Sequence, residues 1–137
     1  MNIEYLPNKN QDGPLIRIYG DEPLPIITLA HRLLELGESK SELVKVHELE
    51  QFFGIGGCGL KIRLSPKDCG IAQLEDQLQF EWGLTRSSIE VVAELLLSLS
   101  EPSNIGCYQW FSGDEARHEL PRSKIGLIVT RDKQGRW

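Results

Sequence analysis

The stretch Gly54-Ile55-Gly56-Gly57-Cys58-Gly59-Leu60-Lys61-Ile62-Arg63-Leu64 constrains the fold of this chain more than any other. Its glycines permit positive φ and close approach of another backbone, at an entropic cost that an ordinary surface loop need not incur. The residues that follow alternate: Leu60, Ile62 and Leu64 share one face, and Lys61 and Arg63 the other. That is the period of a half-buried strand. Nucleotide-binding glycine loops have a strand before the glycines and a helix after them, so that amides and a helix N-terminus converge on phosphate. Here a strand follows, and the stretch reads as a tight turn leading into it.

At 137 residues the chain can bury about two-thirds of its unfolded surface in one core, without a metal or disulfide staple. A hydrophobic fraction of 40% and a charged fraction of 26% are those of a globular chain. The net charge of −5 supplies no basic field for nucleic acid or anionic lipid, so neither is expected as a partner. No run is apolar enough to span a bilayer, and the first residues, Met-Asn-Ile-Glu-Tyr-Leu-Pro, lack the basic and apolar regions of a signal peptide. A cytosolic location follows. Cys58, Cys69 and Cys107 form no Cys-x-x-Cys pair and read as reduced thiols.

Along the chain, residues 1 to 13 read as a polar arm and 14 to 137 as one domain, with a C-terminal tail from about 131. Leu15 to Tyr19 is a β-rich run bounded by Pro14 and Gly20. Asp21 can cap a helix that tolerates Pro23 in its first turn, carries Ile26, Leu29, Ala30, Leu33 and Leu34 as its apolar stripe, and stops at Gly37. Leu43 to Leu49, the run from Leu60 and the alternating Leu78, Phe80 and Trp82 predict three more strands. Thr85 or Ser87 can cap a second helix, with Ser87 and Glu90 spaced as a capping box, and Pro102 bounds it. Ile105 to Phe111 and Lys124 to Thr130 complete the set. The order β-α-β-β-β-α-β-β predicts an α+β fold: a single mixed, largely antiparallel sheet with both helices on one face, a relative of the ferredoxin-like split β-α-β arrangement.

Several residue sets could carry chemistry. Cys58 among glycines could act as a nucleophile with His47 or His118 as base. The amides of Gly56 and Gly57, with Lys61 and Arg63, could form an anion nest. No histidines or cysteines stand at metal-ligand spacing, and no cofactor motif is present, so no metal and no cofactor are expected. Tyr108 and Trp110 alternate onto one face of their strand and call for cover, by the chain's own tail or by a partner. A terminal Trp137 can bury roughly 150 to 250 Å² of surface, and is expected to dock near Tyr108 and Trp110 and close that face.

The elements Ile-Arg-Ile-Tyr-Gly (16 to 20), Gly-Gly-Cys-x-Leu (56 to 60) and Gly-Cys-Tyr-Gln-Trp-Phe (106 to 111) resemble those of small uncharacterised bacterial proteins with recurring Gly-Gly-Cys and Tyr-Gln-Trp elements. The resemblance implies a bacterial origin and carries over no catalytic residue. In size and acidity the chain is also similar to toxin-immunity proteins, which act by binding. The expectation is a non-enzymatic module that binds a protein partner or forms a homodimer through Tyr108, Trp110 and Trp137. The alternative is a small enzyme or ligand binder centred on Cys58 and the Gly54–Gly59 turn.

Overall fold

A computed structural model describes residues 1–7, 13–75, 77–113 and 123–137. Its elements are β1 (Asn2–Leu6), β2 (Leu15–Tyr19), α1 (Pro23–Gly37), β3 (Leu43–Lys45), β4 (Phe53–Gly54), β5 (Gly59–Leu64), β6 (Ala72–Gln73), β7 (Gln79–Leu84), α2 (Arg86–Leu99), β8 (Tyr108–Ser112) and β9 (Gly126–Thr130). Short 3₁₀ turns lie at Val46–Glu48, Ile55–Gly57 and Pro102–Asn104. The fold is α+β. The strands divide between two sheets, not one: five in the order β4-β1-β2-β9-β8, and four in the order β3-β5-β7-β6. This corrects the single ferredoxin-like sheet expected from the element order.

The split follows from pairings that the order of elements does not encode. Asn2–Leu6 is no arm, because it pairs antiparallel with β2 from Asn2↔Tyr19 to Leu6↔Leu15. Alternation then sends Ile3 into the core and leaves Glu4 outside. β2 takes β9 as its parallel neighbour on the other side, and β5 and β7 pair in parallel with each other. Among the described residues no strand joins the two sets, although Tyr5 of the first sheet meets Phe80 of the second, with ring centroids 4.7 Å apart.

α1 starts without a side-chain cap: Glu22 holds the N-cap position in place of Asp21, and Pro23 opens the first turn, where a missing N–H costs nothing. Its buried stripe is Ile26, Leu29, Ala30, Leu33 and Leu36. α2 is capped by Thr85, whose Oγ1 accepts from the Ser88 N–H at 3.3 Å. The reciprocal carboxylate is not Glu90 but Asp68: its Oδ1 accepts from Thr85 N and its Oδ2 from Ser88 Oγ, both at 2.8 Å. Glu90 turns to Arg86 instead. The helices pack on each other, with α1 also against β3 and β5, and α2 against β7 and β8.

One apolar cluster joins both sheets and both helices, and it contains Leu60, Ile62 and Phe80, expected on the dry face of their strands from alternation, together with Val92, Leu96, Leu127 and Val129. The strand expected over Leu43–Leu49 stops at Lys45, because a 3₁₀ turn closed by Leu49 N donating to Val46 O buries Val46 and swings His47 away from the ladder.

Arg131 does not begin a free tail. It is 1% exposed, and its guanidinium donates to Leu99 O (3.2 Å), Glu101 O (2.6 Å) and Asp21 O (2.8 Å). One side chain thus ties the end of α2 to the turn before α1.

Candidate functional site

β9 is buried along its whole length, which requires cover on both faces of the sheet. Leu127 and Val129 face the main core, while Ile128 faces out, in a row that runs Glu4, Arg17, Ile128, Trp110 across four strands. The C-terminal tail folds back over this outer face. Arg17 donates from Nη1 to Gly135 O at 3.0 Å, pairs with Glu4, and lies 4.4 Å from the Tyr19 ring centroid and 6.0 Å from that of Trp137. Thr130 Oγ1 donates to Arg136 O at 2.7 Å. Trp137 meets Trp110 edge to face, centroids 6.3 Å apart at 88°, the arrangement that the ring quadrupoles favour. The contact expected between Trp137 and Trp110 is therefore made within the chain, but it does not close the face, because Trp137 stays 38% exposed and among the described residues no aromatic ring meets Tyr108.

The turn that aims the tail is set by Asp132. Its carboxylate accepts from Gln134 N at 2.9 Å and Arg136 N at 3.0 Å, and meets Arg136 Nη2 at 3.1 Å. The Arg136 side chain and these amides hold its pKa down, to about 2. A depressed carboxylate stabilises the folded turn above its unfolded value near 4, and that contribution is lost as pH falls through the folded value. Between about pH 4 and pH 2, Trp emission should shift as the tail loosens. In Asp132→Asn this step should be missing, and an unchanged step there would assign it to another group.

Tyr108, Trp110 and Trp137 thus divide into a pair that meets within the chain, Trp137 on Trp110, and one ring without an aromatic neighbour among the described residues. Tyr108 is 49% exposed and Ile105, in the preceding turn, 63%. β8 ends the five-stranded sheet. Arg131 N donates to Cys107 O, and Gln109 stands opposite Val129, so alternation turns the backbone groups of Cys107 and Gln109 toward β9. Those of Tyr108 and Trp110 point away from β9, along an edge that carries no further strand among the described residues. One of them is taken, because the Gln109 side-chain amide donates to Trp110 O at 2.9 Å. A bulge between Trp110 and Ser112 then breaks the register. Sequence reasoning found the aromatic strand but missed Ile105 and Gln109, which only the edge position makes relevant.

The glycine turn is explained by packing. Gly56 and Gly57 have φ of 64° and 84°, and a Cβ on Gly54 would stand 2.0 Å from the carbonyl oxygen of Cys58. Cys58 is buried with Leu60 in the core cluster, and desolvation, with the charge of Glu4, pushes its thiol up to about 11. At neutral pH it is protonated and unreactive. Alternation sets Gly59 on the opposite face, where a Cβ would lie 2.9 Å from His47 Cε1, so the imidazole and the thiol stand on different sides of the strand. His47 Nδ1 accepts from Leu60 N at 3.1 Å. His118 lies outside the described residues.

Nor do the anion-nest residues converge. Gly57 O accepts from Gln79 Nε2, and Arg63 is paired with Glu81 on the outer face of the second sheet. At about 3.3 Å per residue, β5 carries Arg63 roughly 13 Å beyond Gly59, where the turn ends. A cleft of about 310 Å³ opens among Met1, Tyr19, Asp21, Glu22, Phe53 and Lys133. Lys133 meets Asp21 at 3.7 Å and the Met1 ammonium donates to Gln51 O, so both cations at its rim already have partners within the chain. Among the described residues, no group of three or more His, Cys, Asp or Glu is placed to hold a metal, and no helix is long and apolar enough to cross a membrane.

No protein-family model, curated protein or solved structure matches the chain.

Proposed function

We propose that this chain is a protein-binding domain that takes an extended polypeptide segment along the open edge of β8. The observation that carries this reading is that, among the described residues, β8 is the one full-length strand at the end of a sheet, guarded only by the Gln109 side chain on Trp110 O and by the bulge that follows. Edge strands of monomeric proteins are ordinarily blunted by shortness, charge or proline, because their free N–H and C=O groups template pairing. β4 and β6 have two residues each, and β3 has three and ends in Lys45. β8 has five, Tyr-Gln-Trp-Phe-Ser, with neither a charge nor a proline. Strand addition derives affinity from backbone hydrogen bonds and selectivity from alternate side chains, and Tyr108 and Ile105 offer the exposed apolar surface for the latter.

The test is selection of random peptides on the immobilised chain, with counter-selection on Tyr108→Pro. Proline at 108 removes an N–H that points away from β9, so it should leave the sheet intact while closing the edge. Peptides rich in β-branched and aromatic residues, retained by the native chain and released by Tyr108→Pro, are the expected result. Recovery of no peptides, or of peptides indifferent to the substitution, would overturn the reading.

A further inference from the structure

We infer that the edge of β8 is self-complementary, and that a second copy of this chain pairs with it antiparallel about a two-fold axis through Gln109. This rests on the reading of β8 as a pairing edge and names one occupant of it. The outward backbone groups belong to Tyr108 and Trp110, which flank Gln109 symmetrically. With the axis at Gln109, Tyr108 of one copy faces Trp110 of the other, and each pair can exchange N–H and C=O. The bulge after Trp110 limits the shared ladder to this centre, and no charged side chain on the strand opposes it. The two five-stranded sheets would run on as one.

Two features set the strength of this pairing. Gln109 holds Trp110 O with its own side chain, so each copy must release that bond before the ladder closes. Removing it with Gln109→Ala should tighten association. Each copy also carries −5, so added salt should strengthen association by screening repulsion over a distance of about 10 Å or less.

The symmetry gives a test that a structural role for Gln109 would not pass. Across the interface, Gln109 and its counterpart form a non-hydrogen-bonded pair, whose side chains are in the closest register of an antiparallel ladder. Gln109→Lys should therefore set two ammonium groups side by side on the axis, and Gln109→Glu two carboxylates. Sedimentation of the intact chain over a concentration series should show a monomer–dimer equilibrium. Each charged variant should weaken it by about twofold to fivefold, and an equimolar mixture of the two should restore it. Circular dichroism of each variant confirms that the fold is kept. A native chain that stays monomeric at every concentration would overturn the inference, as would charged variants that dimerise unchanged or a mixture that fails to recover. Peptide capture by the monomeric variants would still stand if self-pairing failed, and loss of both would end the reading of β8 as an edge for partners.

Discussion

Replacing Arg131 with Met is expected to cost about 3 kcal/mol, on the order of 1 kcal/mol for each carbonyl left without its donor, with a fall in melting temperature on the order of 10 °C. The guanidinium meets no carboxylate within ion-pair distance among the described residues. Its charge is held by the carbonyls of Leu99, Glu101 and Asp21. Leu99 is the last residue of α2, so the cation sits where the helix dipole is negative and where carbonyls lack an intrahelical donor. Met would fill much of the volume but leave three acceptors without that donor, and buried carbonyls without partners are expensive. Lys keeps the charge but is a point donor that cannot span carbonyls from two directions, so Arg131→Lys should recover only part of the loss. Chemical denaturation of the three proteins checks this. An Arg131→Met loss under about 1 kcal/mol would mean that water replaces the guanidinium at little cost.

Leu96→Ala is expected to cost roughly 2 to 5 kcal/mol, a large share of the stability of a domain of this size. Leu96 is buried on α2 and faces a void of about 10 Å³ that Leu33, Ile62, Trp82, Phe111 and Leu127 also line. That void sits where both helices meet both sheets, so no single element can move in to fill a larger one without disturbing the others. Such sites relax poorly, which puts the expected cost toward the upper part of the range. Urea unfolding midpoints at constant slope would measure it, and a cost near that of an exposed substitution would mean that the elements can close over the deletion.

Local pattern made much of the fold legible. The stripe of α1 and the alternation of Leu60, Ile62 and Leu64 each follow from the period of one element; the residues they mark lie in the common core, except Leu34 and Leu64, which pack half-buried against it. The terminal Trp could be placed as well, because a large apolar ring at a chain end needs cover and the Trp110 face lacked it. For the candidate site, the sequence marked the aromatic strand and left its edge unseen.

What the chain could not disclose by itself lay in long-range pairing. Asn2–Leu6 looks polar and ragged, and becomes a strand because β2 supplies its ladder and the core takes Ile3. Arg131 reads as the start of a charged tail, and is buried because helix carbonyls some thirty residues earlier converge on it. The division into two sheets has the same origin. Strand identity depends on side chains a few residues apart, whereas the choice of neighbours depends on which pairings close one core around both helices. Hydrophobic period marked the helices and the alternating strands; the tertiary structure decided how the strands divide between two sheets and which of them stand at the sheet ends.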